Sequence, residues 1–260
     1  MNGWRVAGIQ HDIVWEDPAA NMARLAPMIA DAAHRGARLV ALTEMWSTGF
    51  SMATGRTAEA PGGASTAFLV EQARAHGVWV CASVPERRAG DDRPVNCFVL
   101  AAPDGSVRRY AKLHPFTYGR EHEHYAAGDE LVTWDVEGVR VSPFVCYDLR
   151  FADEFWQLAP ATDLYVVVAN WPAGRRAHWT TLLAARAIEN QAYVLGVNRV
   201  GSGGGLDYAG DSRLVDPFGE LVAEASSYEE SLLVGDVDLD RLRAVRSRYP
   251  FLRDRRTFAG

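Results

Sequence analysis

Short apolar runs of strand character alternate with amphipathic helical segments along the whole chain, and this alternation most limits the fold that it can adopt. Strands are predicted at 4–11, 38–42, 78–84, 96–101, 107–110, 131–136, 139–145, 163–169 and 193–200, with two more around 216–219, and helices at 19–34, 64–76, 151–158, 177–190 and 238–246. Hairpin-like pairs of strands are frequent too, so a layered α/β sandwich and a mixed sheet both fit. Because no repeat or linker interrupts the pattern, we expect one domain over residues 1–260.

The composition narrows the class of protein. An apolar fraction of 48%, a charged fraction of 23% and a net charge of -6 are ordinary for a soluble globular protein and argue against nucleic acid as a partner. The apolar run at 164–169 is too short to span a membrane. Three cysteines without a C-x-x-C pair argue against disulfides and a cysteine zinc site, and favour the cytoplasm.

The 27 basic residues comprise 26 arginines and a single lysine, Lys112. Lysine carries a compact charge that donates at one point, whereas the arginine fork is planar and bulky. A site that requires an ammonium group would explain the exception. Drift in an arginine-rich composition would explain it as well.

Three polar residues stand at the ends of predicted strands, where the sites of layered α/β folds often gather. Glu44 follows the run 39–42, Lys112 follows 107–110, and Cys146 follows 141–145 and opens a turn before a helix. Backbone N–H groups at such a turn can receive an oxyanion. Taken singly, each residue has an ordinary alternative: a core cysteine, a capping or ion-paired glutamate, and a solvated lysine.

Taken together, the segments ALTEMWSTGF, YAKLHPF and FVCYDLRF resemble the three signature motifs of the nitrilase superfamily of carbon–nitrogen hydrolases. The resemblance continues through VAGIQHD, ANWP, HWTTLLAARAIENQAYV, NRVG and GDSRLVDPFGE, and so covers essentially the whole chain. It implies a four-layer αββα sandwich that forms a homodimer or a higher homo-oligomer through one helical layer. We expect no cofactor and no metal.

The resemblance also implies roles for individual residues. Cys146 would attack an amide carbonyl to form a thioester, with Glu44 as general base. Lys112 and the backbone N–H of Tyr147 would stabilise the oxyanion. In EHEHYAAGD, Glu121 has the offset of a second family glutamate that would hold Lys112 or the substrate, and Glu123 is its competitor.

Other interpretations of these segments remain open. His122 and His124, beside two acidic residues, could form a metal site, although no further ligand group stands out. His114 could serve as the base of a Cys–His hydrolase, although packing behind the lysine suits it better. Arg186 and Glu189 are expected to form a helical ion pair, and Arg150 a structural brace. Cys81 and Cys97 are expected in the core, and 201–205 is expected to be a plain turn.

Within the superfamily the chain most resembles the ω-amidases, through HPFTYGREHEHYAAGD, VCYDLRF, ANWPAGRRAHW and ARAIENQAYV. That resemblance implies hydrolysis of the terminal amide of 2-oxoglutaramate or 2-oxosuccinamate to the 2-oxo acid and ammonia. The alternatives are another amide, such as deaminated glutathione or an N-carbamoyl amine, and a non-catalytic binding protein.

A small mono-amide of a dicarboxylic acid needs cations or donors for its remote carboxylate. Arg175 and Arg176 are candidates for this contact, although two solvent-exposed loop arginines would look the same in the sequence. The residues expected to line the substrate pocket are Phe116, Tyr125, Tyr147, Asn170 and Trp171.

Overall fold

The computed structural model describes residues 3–88, 90 and 92–256. The strands are β1 (Trp4–Gln10), β2 (Leu39–Ala41), β3 (Trp79–Glu86), β4 (Val95–Ala101), β5 (Val107–Ala111), β6 (Trp134–Val136), β7 (Val139–Val145), β8 (Leu164–Ala169), β9 (Tyr193–Asn198), β10 (Val200–Gly203), β11 (Leu206–Ala209), β12 (Arg213–Val215), β13 (Leu221–Glu224) and β14 (Ser231–Val237). The α-helices are α1 (Pro18–His34), α2 (Thr54–Thr57), α3 (Ala64–His76), α4 (Glu121–His124), α5 (Ala152–Leu158), α6 (Arg176–Asn190) and α7 (Leu239–Arg248).

Two six-stranded sheets have the same design. The first has the order β14-β1-β2-β3-β4-β5, and the second the order β13-β12-β9-β8-β7-β6. In each sheet three central strands are parallel, β1–β3 in one and β7–β9 in the other, and the outer strands pair antiparallel. The central strands β8 and β9 are buried along their whole length, which is typical of parallel strands covered on both faces.

The sheets pack face to face, with helices on both outer sides. Val6 and Phe98 of the first sheet share a core with Phe144 and Val166 of the second, and that core extends to α5 and α6. On the other side of the first sheet, buried residues of α1 and α3 form a separate core. The order of layers is therefore helix, sheet, sheet, helix, and the predicted four-layer αββα sandwich is confirmed.

Local sequence accounts for where α1 begins and where α3 ends. The side chain of Asp17 caps α1 by accepting the N–H of Ala20 at 3.0 Å, and Pro18 occupies the first turn, where its missing N–H costs nothing. Helix α3 ends at Gly77, whose left-handed conformation (φ 66°) terminates the helix.

The structure differs from the predicted elements at several places, and the short helices α2 and α4 and strand β11 were not predicted. Residues 131–133 lie outside β6, so this strand is shorter than predicted. The segment 201–205 is not a plain turn, because 201–203 belong to β10 and pair with β11 in a separate two-stranded sheet. Strand β14 was not predicted; its sequence has no clear period, and long-range pairing with β1 places it in the sheet. Within the described part of the chain, no helix has the length and apolarity to cross a bilayer.

Candidate active site

The site forms where the carboxyl ends of parallel strands from both sheets meet, which is the usual position of sites in α/β sheets. Glu44 follows β2, Cys146 follows β7, and Asn170 follows β8. Lys112 follows β5, at the edge of the first sheet. The face-to-face packing of the sheets thus brings chain segments far apart in sequence to one place.

A sharp turn holds Cys146. Its φ is 45°, in the left-handed region that residues with a side chain rarely adopt, and it begins a 3₁₀ turn that ends at Arg150. Asp148 closes this turn, because its buried carboxylate accepts the N–H of Val145 and the N–H of His114, at 3.0 and 2.9 Å. The hydroxyl of Tyr110 donates to the same carboxylate at 2.9 Å. Asp148 therefore ties the cysteine turn to the segment that carries Lys112.

Lys112 is buried between two carboxylates. Its Nζ donates to Glu44 Oε1 at 3.0 Å and to Glu121 Oε2 at 2.8 Å, and all three side chains are at most 1% exposed. Burial opposes the ammonium form, but Glu121 and Glu44 outweigh it and raise the pKa of Lys112. Burial also raises the pKa of Glu121, against the lowering effect of Lys112. Glu123 instead pairs with Arg120 on the surface.

Asn96, on β4, completes this cluster. Its Nδ2 donates to Glu44 Oε1 at 2.8 Å and to Glu121 Oε1 at 3.0 Å, so one amide group joins the two carboxylates. The second oxygen of Glu44 accepts the backbone N–H of Asn170 at 2.8 Å. Asn96 was not predicted as a site residue, although a polar residue within the apolar strand VNCFVLA was a usable signal.

Cys146 and Glu44 line the same cavity. Burial and the hydrogen bond and charge of Glu44 raise the pKa of the Cys146 thiol well above the usual value, while Lys112 lowers it. A thiol in this environment rests in its protonated form, and a base in contact with it can take the proton as the sulfur attacks. The arrangement can therefore support nucleophilic catalysis by a cysteine with a glutamate as base.

Glu44 and Cys146 line a cavity of about 400 Å³. Five of the predicted pocket residues line it too: Phe116, Tyr147, Asn170, Trp171 and Arg175. Lys112 and Glu121 are not among the lining residues, but Lys112 Nζ contacts Glu44 and lies 5.4 Å from the centre of the Phe50 ring, and both of these residues line the cavity. Trp15, Phe50, Met52, Leu206 and Tyr208, which were not predicted, form further parts of the wall.

Two predicted pocket residues lie elsewhere. The Arg176 guanidinium binds both carboxylate oxygens of Asp211, at 2.9 and 2.7 Å, and does not line the cavity. Tyr125 is 1% exposed, and its hydroxyl donates to the Ser51 carbonyl at 2.7 Å, so its ring fills the core instead of the pocket. Neither residue lines the cavity that contains Cys146, so the geometry does not support a substrate contact by either.

Arg150 departs from its prediction in the opposite direction. It was expected to be a brace, but it lines the cavity beside Cys146 and Arg175. Its guanidinium lies 4.7 Å from the centre of the Trp171 ring, and one nitrogen lies 3.2 Å from His178 Nδ1. The reason is its position at the end of the 3₁₀ turn that begins at Cys146, which keeps it near the nucleophile.

The structure also shows where the residues of the other interpretations lie. His114 contacts Asp148 and stacks on Phe151 at 3.7 Å, and it does not line the cavity that contains Cys146. Among the described residues, no three His, Cys, Asp or Glu side chains gather as a metal site. The predicted ion pair between Arg186 and Glu189 is present at 2.7 Å. Cys81 and Cys97 are buried, as expected.

Proteins of known family resemble this chain over nearly its whole length. The model of the family described as carbon-nitrogen hydrolase matches residues 5–247. The protein Omega-amidase YafV of Escherichia coli (strain K12) is 37% identical over 255 residues, which cover 98% of this chain and 97% of that protein. The 2-oxoglutaramate amidase of Bacillus subtilis (strain 168) is 32% identical over 257 residues, which cover 96% and 97%.

A solved structure agrees with these sequence matches. XC1258 from Xanthomonas campestris, described as a CN-hydrolase superfamily protein with an arsenic adduct in its active site, has a TM-score of 0.93 and 35% identity, and each chain covers 100% of the other. The chain therefore belongs to the carbon–nitrogen hydrolase family, as its three motifs predict, and is a hydrolase of non-peptide carbon–nitrogen bonds.

Proposed function

We propose that this protein hydrolyses the terminal amide of a small 2-oxo acid mono-amide, 2-oxoglutaramate or 2-oxosuccinamate, to the 2-oxo acid and ammonia. The observation that carries the proposal is that Cys146 and Glu44, the carboxylate that also binds Lys112, line the same cavity. The similarity to an ω-amidase and a 2-oxoglutaramate amidase over nearly the full chain supports this substrate class.

In the first half of the reaction, Sγ of Cys146 attacks the amide carbonyl carbon while Glu44 takes the thiol proton. The negative charge that develops on the carbonyl oxygen is stabilised by the ammonium of Lys112 and the backbone N–H of Tyr147. The C–N bond then breaks, and Glu44 returns its proton to the departing nitrogen. Ammonia leaves, and the acyl group remains on Cys146 as a thioester.

In the second half, Glu44 takes a proton from a water molecule that attacks the thioester carbonyl. The C–S bond breaks, the proton returns to the sulfur of Cys146, and the 2-oxo acid is released. Glu121 and Asn96 act indirectly in both halves, since they hold Lys112 and Glu44 in place through the hydrogen bonds at 2.8–3.0 Å.

The proposal extends to the whole protein. Residues 1–260 form one hydrolase domain, and the family match over 5–247 supports this. The chain acts as a homodimer or a higher homo-oligomer in the cytoplasm, for which the three unpaired cysteines are suited. Its partner is a small amide, and it uses no cofactor.

The test is replacement of the nucleophile. Cys146→Ala is expected to abolish ammonia release from 2-oxoglutaramate, because neither half of the reaction can proceed without the sulfur. Cys146→Ser is expected to be inactive as well, since a hydroxyl is far harder to ionise than a thiol. Ammonia is measured with a coupled assay, and circular dichroism verifies the fold.

Cys97→Ala is the matched control, because it removes a sulfur from the core of the same chain, away from the cavity. It should keep the wild-type rate at temperatures where it is folded. Turnover by Cys146→Ala at the wild-type rate would refute the covalent mechanism. Failure of the wild-type protein to release ammonia from either 2-oxo acid mono-amide would refute the substrate class.

A further inference from the structure

The cavity has an unusual distribution of charge. Among the described residues that line it, the charged ones are Glu44, Arg150 and Arg175. The carboxylate of Glu44 is already satisfied by Lys112, Asn96 and the backbone N–H of Asn170. The accessible charge of the wall is thus that of two guanidinium groups.

Neither guanidinium has an anionic partner in the part of the chain that the structure describes. Arg150 contacts the Trp171 ring and the imidazole of His178, and Arg175 lies 5.5 Å from the centre of the Phe116 ring. Arg176, adjacent to Arg175 in sequence, is instead neutralised by Asp211. Burial lowers the pKa of Arg150, and the nearby charge of Arg175 lowers it further. Two like charges that face one cavity repel each other unless an anion lies between them.

The position of Arg150 suits a small substrate. It is the last residue of the 3₁₀ turn that begins at Cys146, and both residues line the same cavity. The contacts of Arg150 with the Trp171 ring and with His178 restrain the guanidinium in advance, which reduces the entropy lost when a carboxylate binds.

We infer that Arg150 and Arg175 together form the subsite for the remote carboxylate of the substrate, and that this pair selects acidic amides over neutral ones. The inference rests on the proposed function, and it assigns specificity to two residues that do not take part in the proton transfers. A carboxylate between two guanidinium groups receives charge-assisted hydrogen bonds from both sides. The 2-oxo acid product carries the same remote carboxylate, so the subsite binds product as well as substrate.

The test compares two amides of equal carbon number, 2-oxoglutaramate and pentanamide, which lacks the acid group. Arg150→Gln and Arg175→Gln are each expected to lower kcat/KM for 2-oxoglutaramate by about 10- to 100-fold, the usual effect of losing a hydrogen bond to a charged group. The value for pentanamide should change little. Arg176→Gln is the matched control and should retain the wild-type ratio of the two values, because Arg176 lies outside the cavity.

The outcomes separate the inference from the proposed function. A wild-type protein that shows no preference for 2-oxoglutaramate would refute the substrate class. A wild-type preference that persists in both glutamine variants would refute the carboxylate subsite alone. Equal loss on both amides would also refute it, since Arg150 would then be a brace and not a specificity residue.

Binding without turnover gives a second measurement. In the inactive Cys146→Ala background, glutarate serves as a dicarboxylate probe in isothermal titration calorimetry. Adding Arg150→Gln or Arg175→Gln should raise the Kd of glutarate by about 10-fold or more. Unchanged binding in both double variants would overturn the assignment, whatever the rates of the active enzymes show.

Discussion

At the scale of single residues, Lys112 is the clearest case of a side chain that no other can replace. Its ammonium lies between Glu44 and Glu121 at 3.0 and 2.8 Å and is 1% exposed. A guanidinium is larger and planar and cannot donate from the same point. The only lysine of the chain therefore occupies a position where the arginine used at all other basic positions would not fit.

We expect Lys112→Arg to lower kcat/KM for ammonia release by about 100-fold or more, because the variant loses the point charge that stabilises the oxyanion and displaces Glu44. Steady-state assays with 2-oxoglutaramate measure this effect. Arg120→Lys, the exchange of the same two residue types at a site whose side chain is 72% exposed, should leave the rate unchanged. A Lys112→Arg rate within a few-fold of the wild-type rate would mean that the lone lysine is an accident of composition.

The roles of residues within sequence motifs could be predicted. The roles that depend on tertiary contacts alone could not. Glu44, Lys112 and Cys146 stand at the ends of predicted strands, so the sequence alone marked them as candidates. Arg175 and Arg176 are adjacent and identical in type, and only the partner Asp211 separates their positions in the structure. Asn96 was missed because its two carboxylate partners come from distant segments of the chain.

At the scale of elements, the segment between Lys112 and β6 depends on one close approach of backbone to backbone. The N–H of Gly128 donates to the Lys112 carbonyl at 2.8 Å. A Cβ placed on Gly128 would lie 2.2 Å from the Ala111 carbonyl oxygen, which belongs to β5 and cannot rotate away. Glycine at 128 therefore lets this segment return along β5 and enclose Glu121.

Gly128→Ala is accordingly expected to lower the free energy of unfolding by about 1–3 kcal/mol, the usual cost of overpacking. It should also reduce activity, because the shift falls on the residue that precedes Lys112. Urea denaturation followed by circular dichroism measures the first effect. Gly55→Ala is the control, since a Cβ there meets no atom within 4 Å. Equal stability of the two variants would contradict the role assigned to Gly128.

At the scale of the whole molecule, the alternation of strands and helices left a layered sandwich and a mixed sheet open, and the family resemblance implied the four layers. Neither predicted how the two sheets are joined. Most predicted strands matched the observed ones within two residues, because their apolar runs are continuous. The register between β1 and β14 joins residues more than 200 positions apart, and no local pattern encodes it. The same holds for Asn170, whose backbone N–H reaches Glu44 across 126 positions.

Packing of the two sheets also encloses a histidine. His11 is 2% exposed; its Nε2 lies 3.0 Å from Thr43 Oγ1, and its Nδ1 lies 3.1 Å from the Asp12 carbonyl oxygen. These partners suit a neutral ring that donates from Nδ1 and accepts at Nε2. Burial lowers the pKa of His11 to about 4; the Asp12 carbonyl opposes this effect, and the charges of Arg199 and Arg24 add to it.

Because the folded pKa of His11 lies below the value of about 6.5 in an unfolded chain, the unfolded state binds a proton that the folded state does not. The contribution of His11 to stability is therefore complete above pH 6.5 and is lost as the pH falls towards 4. We expect the free energy of unfolding to decrease by about 1.4 kcal/mol per pH unit in this window. His114 has a raised pKa, so its contribution to stability is instead lost as the pH rises above 6.5.

Urea denaturation between pH 7.5 and 4.5 measures this slope. The wild-type protein and His34→Gln, whose ring is exposed, should show it, and His11→Gln should show a flatter slope. Equal slopes in all three proteins would mean that His11 takes up a proton in the folded state as readily as in the unfolded chain.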